Sequence, residues 1–310
     1  MYASFFGLNK NPFEITPDPR FFFGTPGHNE ALASLCYGVD RRKGFIVITG
    51  EVGTGKTLLT RCLSRNLTLQ QIPFAYIFNP LLSILEFLQY AVRDMGVSLS
   101  GKTKGDLLGD LNRFLIAQHR QNSTAVLIID EAHLLSWELL EEIRLLTNLE
   151  TAEQKLLQII LVGQPELDQK LESQSLRQLK QRISLRCRLL PLSEEQTRKY
   201  VELRLLMAGA QGGRRNLFAE ASLKLIHQYS GGIPRIVNTI CEAALVATFA
   251  LRNTTVSPEI IEEIAADFRL SAKEKLNASP RDTRTDRDTA SSTSSDRSHR
   301  AAVLTSATVA

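Results

Sequence analysis

Residues 45–58 read FIVITGEVGTGKTL, an apolar run that leads into a glycine-rich turn ending in lysine and threonine. The turn, Gly50 to Thr57, matches the pattern G-x-x-x-x-G-K-[ST]. The apolar run predicts a buried strand, and the apolar periodicity from Leu58 onward predicts a helix. Glycines between a strand and a helix let backbone N–H groups curl around an anion at the helix N-terminus, where the helix dipole favours negative charge. The segment therefore predicts a phosphate-binding loop in an α/β fold.

Every position of this loop is a candidate for contact with a nucleotide. Lys56 can reach the terminal phosphates, and the Thr57 hydroxyl can ligate Mg²⁺. The alternative is a fortuitous glycine loop, which a second, acidic motif further along the chain makes the weaker interpretation. The predicted nucleotide-binding residues are Gly50, Glu51, Val52, Gly53, Thr54, Gly55, Lys56, Thr57 and Leu58.

The second motif is an apolar run, Ala125–Ile129, that ends in two adjacent carboxylates, Asp130 and Glu131. Asp130 is predicted to join Thr57 in holding Mg²⁺, and Glu131 to orient and deprotonate an attacking water. The alternative is a turn that only caps the following helix, but two acids beside an apolar run are costly without a cation nearby. His133 either orients Glu131 or satisfies the turn, and the structural interpretation is favoured.

Two further polar residues are candidates for contact with the γ-phosphate. Gln164 follows the predicted strand at 158–162, and its side chain can bond the phosphate or the water; holding the turn before Pro165 is the alternative. Arg235 stands at the start of a predicted helix, where a cation opposes the helix dipole unless an anion neutralises it. An ordinary surface arginine is the alternative there.

Apolar strands and amphipathic helices alternate along the chain as far as Pro191, which is typical of an α/β fold. All but the last strand candidate are nearly continuous apolar runs, as in parallel strands covered on both faces. Helices are predicted at about 28–41 and 138–150. The strand candidates are Phe45–Thr49, Phe74–Phe78, Ala125–Ile129, Gln158–Val162 and Arg186–Leu190.

After Pro191 the strand signal ends and helical signals take over. A capping box, Ser193 with Gln196, opens the first of these helices, and Ser257 with Pro258 opens the last. From about Lys273 the chain is too polar to bury a core. The predicted segments are a leader and helix packing on the nucleotide site at 1–44, an α/β core at 45–191, a helical lid at 192–270 and a disordered tail at 271–310.

Composition argues against several classes of protein. The formal net charge of +4 permits an acidic partner but does not argue for nucleic acid. The cysteines form no C-x-x-C pair, so neither a disulfide framework nor a zinc site is expected, and Cys62 and Cys241 are predicted to be core residues. The N-terminus does not resemble a signal peptide, and the most apolar stretch, Ala243 to Leu251, has about half the length of a membrane span.

Taken together, these motifs resemble those of AAA+ ATPases, in which they occur in the same order. The resemblance implies a parallel five-stranded sheet in the order 5-1-4-3-2, a helical lid from Ser193 to Leu270, and an oligomeric ATPase that uses ATP and Mg²⁺. Gln164 then corresponds to sensor 1 and Arg235 to sensor 2. Arg182, just before the fifth strand, best matches the arginine finger that reaches a neighbouring subunit's ATP, and Arg177 is the second candidate.

A closer resemblance is to the ExeA/GspA-like family, whose members act in type II secretion, pilus biogenesis and exopolysaccharide systems. It implies a secretion or envelope protein as partner. ExeA continues into a transmembrane helix and a peptidoglycan-binding domain, whereas this chain ends in a polar tail. A cytoplasmic relative, held at the inner membrane only through a partner, is therefore expected. The matching motifs are Asn11-Pro12-Phe13, Thr16-Pro17-Asp18-Pro19, His28-x-x-Ala31-Leu32, Gly50 to Thr57, Gly163-Gln164-Pro165-Glu166-Leu167 and Leu176-Arg177-Gln178-Leu179.

Two other functions stay open on the sequence. One is a DNA-binding regulator similar to the more distant TniB/TnsC transposition ATPases, which grips DNA through clustered basic side chains. The other is an ATP-bound scaffold that scarcely hydrolyses, against which the intact Glu131 argues. The basic residues whose clustering would favour DNA binding are Arg41, Arg42, Lys43, Lys102 and Lys104.

Overall fold

The computed structural model describes residues 2–14, 19, 22–210 and 217–272. Two of the sequence-based predictions fall on other residues. Most of the Thr16-Pro17-Asp18-Pro19 motif lies outside the described residues, and so does the polar segment from Lys273 onward.

The described strands form one five-stranded parallel sheet in the order β2-β3-β4-β1-β5, which confirms the predicted order. Parallel registration brings Thr49 beside Gly163 and Ile48 beside Cys187, so the C-terminal ends of the central strands meet at one edge. In open α/β sheets this edge is where ligands bind. The strands are β1 Phe45–Gly50, β2 Phe74–Ile77, β3 Ala125–Ile129, β4 Leu157–Gly163 and β5 Leu185–Leu189.

Burial of the strands follows their position in the sheet. Every residue of β1, β3 and β4 is buried, because helices cover both faces at the centre. The edge strands alternate instead: Phe74 and Tyr76 of β2 are half-buried, and Arg186 and Arg188 of β5 are exposed. The continuous apolar runs thus include the three central strands but also β2, so the expectation that all of them are covered on both faces is wrong for this edge strand. The last strand is mixed because it lies at the other edge.

Four of the described helices in the α/β part begin at an N-cap residue whose side chain accepts a backbone hydrogen bond. Ser83 and Thr103 each accept a hydrogen bond from the third residue of the helix and close a capping box. A short 3₁₀ turn, Ala132–Leu134, follows the acidic motif. The helices are α2 Pro26–Asp40, α3 Lys56–Leu69, α4 Ile84–Asp94, α5 Lys104–Arg120, α6 Trp137–Leu146, α7 Pro165–Leu171 and α8 Arg177–Lys180, and a four-residue helix α1, Tyr2–Phe5, precedes them.

One helix is shorter than its apolar stripe suggested. The prediction of a helix at 138–150 is wrong beyond Leu146. After α6 the chain turns back on itself: Leu156 N donates to Leu149 O at 3.0 Å, and Glu150 pairs with Lys155 in an antiparallel bridge. The stripe extends past the helix because Leu149 still packs against the core beneath the turn.

Helices follow the sheet, as predicted. They are α9 Glu194–Met207, α10 Glu220–Ser230, α11 Pro234–Ala250 and α12 Pro258–Asp267. The predicted capping box at Ser193 is confirmed, since Gln196 N donates to its hydroxyl and Ser193 N donates to the Gln196 side chain. The predicted start of α12 is confirmed, with Ser257 as N-cap and Pro258 in the first turn. The Ser257 hydroxyl makes no capping bond to the backbone but hydrogen-bonds the Glu259 carboxylate, which lowers the pKa of Glu259.

The buried apolar residues form clusters on both faces of the sheet and a third among helices α9 to α12. Cys241 lies in this third cluster, as predicted, whereas Cys62 is only half-buried, so that part of the prediction is wrong. The N-terminal segment divides between the clusters. Tyr2 and Phe13 pack among the late helices, whereas α2 packs on the sheet. Within the residues described here, no helix combines the length and apolarity needed to cross a membrane.

Candidate active site

Two glycines make the loop after β1 possible. Gly53 and Gly55 have φ values of 82° and 102°. This left-handed backbone conformation is sterically unfavourable for residues that carry a Cβ. A Cβ on Gly53 would lie 2.7 Å from Cβ of Arg235, and one on Gly55 would lie 3.2 Å from Nε2 of His28. The loop is therefore enclosed by two distant parts of the chain, the start of α2 and the start of α11.

Lys56 opens α3 and is buried against this loop. Its ammonium donates hydrogen bonds to the carbonyl oxygens of Gly50 and Glu51, at 2.7 and 2.9 Å. Burial lowers the pKa of Lys56, and the carboxylates of Glu131 and Asp130 oppose that shift. The cation thus lies where the motif requires it, between the glycine loop and the acidic strand end.

Thr57 and Asp130 provide oxygen atoms suited to a hard cation. The Thr57 hydroxyl donates to Oδ2 of Asp130 at 3.1 Å, so the two predicted magnesium ligands are in direct contact. The same Oδ2 accepts a 2.7 Å hydrogen bond from the Tyr76 hydroxyl, which also lies 3.3 Å from the Thr60 hydroxyl. Mg²⁺ is commonly held by one carboxylate, a hydroxyl, phosphate oxygens and water. These residues fit that requirement.

Glu131 leaves β3 in an unusual backbone conformation. Its φ and ψ are 50° and 35°, a left-handed geometry that is rare outside glycine and that concentrates at functional sites. Its backbone N–H donates to Oδ1 of Asp130 at 2.9 Å, which ties the two acids together. One carboxylate oxygen, Oε2, is buried and accepts no hydrogen bond from the described residues, although Nδ1 of His133 lies 3.5 Å away. An unsatisfied buried carboxylate oxygen is suited to bind and deprotonate a water molecule.

Gln164 sits between β4 and α7, next to the acidic turn. Its backbone N–H points at Nδ1 of His133 at 3.5 Å. Its side chain forms no capping bond to α7, so it does not hold the turn before Pro165 through that contact. His133 thus lies between Glu131 and Gln164, and the two roles considered for it, orienting Glu131 and satisfying the turn, are both compatible with these contacts.

The start of α11 rests directly on the phosphate-binding loop. The backbone N–H of Arg235 donates to Gly53 O at 3.3 Å, and the Arg235 side chain is exposed beside the loop. Leu192, where the chain leaves the sheet, donates to Gly232 O at 2.8 Å and fixes the turn before α11. The structure therefore brings Arg235 together with the loop, although its action on a phosphate stays a prediction.

The two candidate finger residues lie elsewhere. Arg182 precedes β5 and lies near the N-terminal end of that strand. The five extended residues of β5 span about 17 Å, which separates this end from the edge of the sheet where the phosphate-binding loop lies. The Arg182 guanidinium donates to the Thr147 hydroxyl at 3.0 Å. Arg177 is exposed at the start of α8, and its guanidinium makes no hydrogen bond or ion pair to the described residues. Arg182 therefore lies away from the phosphate-binding loop of its own chain, and the choice between the two arginines stays open.

His28 is a site residue to which the sequence assigned no role. Its Nε2 lies 2.9 Å from Thr54 O in the phosphate-binding loop, and its Nδ1 lies 2.7 Å from the hydroxyl of Thr25, the N-cap of α2. Burial lowers the pKa of His28. The available signal was the family motif His28-x-x-Ala31-Leu32, which marks the residue without giving its contact. Tyr76, the partner of Asp130, had no recognisable signal.

Several of the basic residues considered for DNA binding are engaged within the chain. Arg42 donates to the backbone carbonyls of Asn122 and Ser123, at 2.9 and 3.1 Å. Lys104 forms an ion pair with the buried carboxylate of Glu142 at 2.5 Å. These contacts do not favour a DNA-binding face built from those residues.

Comparisons with known proteins agree with this geometry. Residues 39–171 match the family model of the AAA domain. General secretion pathway protein A of Aeromonas hydrophila is 45% identical over 255 residues, which cover 81% of this chain and 45% of that protein. The chain thus spans slightly less than half the length of this curated relative.

Similar solved structures show the same fold at low sequence identity. The ORC2 protein of Aeropyrum pernix is 18% identical with a TM-score of 0.61, and the match covers 84% of this chain and 72% of that one. Cdc6p of Pyrobaculum aerophilum is also 18% identical with a TM-score of 0.61, and the match covers 86% of this chain and 70% of that one. The RuvB Holliday junction branch migration motor of Thermotoga maritima is 14% identical with a TM-score of 0.55, over 82% of this chain and 73% of its own. Residues 39–171 of the chain therefore form an AAA domain, and over 255 residues the chain is similar to general secretion pathway protein A.

Proposed function

We propose that this protein hydrolyses ATP with Glu131 as the general base. The observation that carries the proposal is the buried Oε2 of Glu131, which accepts no hydrogen bond from the described residues and lies on the strand end that also carries Asp130. Thr57 and Asp130 are the residues that would hold Mg²⁺, which when bound offsets negative charge on the phosphate oxygens. A free carboxylate oxygen beside a cation-binding pair is the arrangement that water activation requires.

The chain's own residues have distinct tasks in this reaction. Backbone N–H groups of the loop bind the phosphates, and Lys56 supplies a positive charge next to them. Glu131 orients the water and takes its proton. Gln164 forms a hydrogen bond to the γ-phosphate or to the water. Arg235 contacts the γ-phosphate and so couples its presence to the position of the helices that follow Arg235 in the chain.

The assembly and the pathway are also part of the proposal. Arg182, or else Arg177, completes the site of a neighbouring copy, so that hydrolysis occurs in a homo-oligomer. The protein energises or regulates the assembly of a secretion, pilus or exopolysaccharide system, and the relative's name, general secretion pathway protein A, supports the first of these. The protein then acts on the cytoplasmic side, held at the inner membrane by an envelope partner.

Two substitutions separate nucleotide binding from hydrolysis. Lys56→Ala removes the charge beside the phosphates, so nucleotide affinity and turnover should both collapse. Glu131→Gln keeps the shape of the side chain but loses the base, so ATP should still bind while single-turnover hydrolysis falls by about 10²–10⁴-fold. Fluorescent-nucleotide titration and phosphate release on purified protein measure the two effects.

Glu263→Gln, an exposed change in α12, is the matched control and should behave as wild type. Wild-type turnover in Glu131→Gln would mean that another group activates the water. A Lys56→Ala protein with unchanged nucleotide affinity would remove the assignment of the phosphate-binding loop itself.

A further inference from the structure

Lys170 on α7 reaches across to the turn that carries Glu131 and His133. Its ammonium donates hydrogen bonds to the carbonyl oxygens of His133, at 3.1 Å, and Leu135, at 2.5 Å. The same ammonium lies 5.6 Å from the ring centroid of Trp137, the first residue of α6. One side chain thus contacts three of the five residues between positions 133 and 137.

The turn has few other bonds that fix it. Leu134 N donates to Glu131 O and Leu135 N to Ala132 O, which close the 3₁₀ turn. In the described part of the chain, no backbone N–H bonds the carbonyls of His133 or Leu135 that Lys170 occupies. Because unpaired carbonyls are costly to bury, these two hydrogen bonds help to hold the turn, together with the fully buried side chains of Ala132 and Leu135.

Helix α7 is itself held firmly, so it can act as a fixed support. Leu167 and Leu171 are fully buried on its inner face. Asp168 accepts a 2.7 Å hydrogen bond from the hydroxyl of Thr49, the residue just before the phosphate-binding loop. A Cβ on Gly163, just before the helix, would lie 3.2 Å from His133 N, so β4 and the acidic turn approach closely here.

We infer that Lys170 is a positioning residue for ATP hydrolysis, which holds the Glu131 turn in register with α7 and Gln164. This inference rests on the proposed ATPase function and adds a residue to it. Glu131 has a left-handed backbone that its own residue type does not favour, so the turn must be held from outside. Burial lowers the pKa of Lys170, but the geometry of the three contacts carries the assignment.

Lys170→Met tests the role, since methionine keeps the unbranched stem and loses the donors. Single-turnover hydrolysis should fall by about tenfold to a hundredfold, because a displacement of about 1 Å at a reacting group has that effect. Nucleotide affinity should stay close to wild type, because the ammonium contacts the turn rather than the phosphate-binding loop. Lys170→Arg keeps a cationic donor and should recover most of the rate. Lys199→Met, an exposed change in α9, is the matched control.

The deciding measurement is the double variant with Glu131→Gln. If Lys170 acts through Glu131, then Lys170→Met should cost little once Glu131 has lost its base, because residues that act as a unit are non-additive. A purely structural lysine would cost the same factor in both backgrounds, and that result would overturn the inference. So would wild-type hydrolysis in Lys170→Met.

Trp137 is the sole tryptophan in the sequence and reports the turn directly. Its indole is 45% exposed, and its emission should shift to the red in Lys170→Met and stay in place in Lys170→Arg. Unchanged emission in Lys170→Met would contradict a displaced turn. If the wild-type protein shows no hydrolysis at all, the proposed function fails; if it hydrolyses and Lys170→Met matches it, only the role of Lys170 fails.

Discussion

Asp130 shows how a single carboxylate in this site depends on the residues around it. Its Oδ2 accepts hydrogen bonds from both the Thr57 and Tyr76 hydroxyls, and its Oδ1 accepts one from Glu131 N. Burial, with the nearby Asp130 carboxylate, raises the pKa of Tyr76, so the phenol keeps its proton and remains a donor. Tyr76 therefore holds the orientation of a predicted magnesium ligand without being a ligand itself.

Tyr76→Phe should weaken the magnesium site while leaving the fold intact. The substitution removes one hydroxyl and keeps the ring, and loss of an outer partner of a metal ligand typically costs about 10–100-fold in metal affinity or activity. The Mg²⁺ concentration that half-saturates nucleotide binding should rise accordingly, as measured by fluorescent-nucleotide titration at varied Mg²⁺.

Tyr90→Phe is the matched control, since Tyr90 is a partly exposed tyrosine of α4 whose ring meets that of Phe78 edge to face. A Tyr76→Phe protein with the wild-type magnesium requirement would show that Asp130 keeps its orientation without the phenol.

The segment from α8 to β5 lies at the opposite end of the sheet from the predicted nucleotide site, unlike the residues that follow the central strands. β1, β3 and β4 deliver their C-terminal residues to the site, whereas Arg182 precedes the N-terminal end of β5. Because the strands are parallel, that end lies away from the phosphate-binding loop of the same chain. An arginine there can act on a nucleotide only if a second copy presents one.

Hydrolysis should therefore depend on assembly. Specific activity should rise with protein concentration, and loss of the finger should cost about 10³–10⁵-fold in rate with nucleotide binding retained. Arg182→Ala and Arg177→Ala are compared, each alone and each mixed with Lys56→Ala. The mixture should recover activity only for the true finger, because Lys56→Ala subunits still supply an intact arginine.

Arg198→Ala, a partly exposed arginine of α9, is a suitable control for the loss of surface charge. Activity that is independent of concentration, with no recovery in either mixture, would exclude a finger acting between subunits. It would favour a monomeric nucleotide switch.

The N-terminal segment contacts both the late helices and the sheet side of the molecule. Phe13 is fully buried against Phe218, with the ring centroids 6.0 Å apart. Arg204 of α9 donates to Glu14 O at 2.8 Å and holds the same stretch. Further along, α2 packs on the sheet and brings His28 to the phosphate-binding loop. The first forty residues therefore contribute to the stability of the whole described fold.

Phe13→Ala should destabilise the protein by about 3–5 kcal/mol, the usual cost of emptying a buried phenylalanine site. Urea denaturation followed by circular dichroism measures the loss. Phe268→Ala removes a half-exposed ring just after α12 and should change the stability far less. Equal effects of the two substitutions would mean that the N-terminal segment adds nothing to the core.

Local sequence patterns were sufficient to predict many of the strands, helix caps and loops of this protein. Nearly continuous apolar runs predicted the central strands, since a strand covered on both faces has few polar positions, although β2 at the edge of the sheet has such a run as well. The glycine loop and the Ser193 capping box were predicted correctly because their geometry is set by a few adjacent residues. The Glu138 helix was predicted too long because periodicity reports burial and does not distinguish a helix from a turn that packs on the same core.

The hydrogen bonds that hold the site residues in place could not be predicted from local patterns, because each joins residues far apart in the chain. Tyr76 reaches Asp130 across 54 positions, Lys170 reaches Leu135 across 35, and His28 reaches Thr54 across 26. Apolar periodicity predicts that a residue is buried, but it does not identify the polar atom with which that residue will form a hydrogen bond. The sequence thus defined the strands, the loop and the acids, whereas the partners that hold those acids in place became visible only once parallel pairing had brought the strand ends to one edge of the sheet.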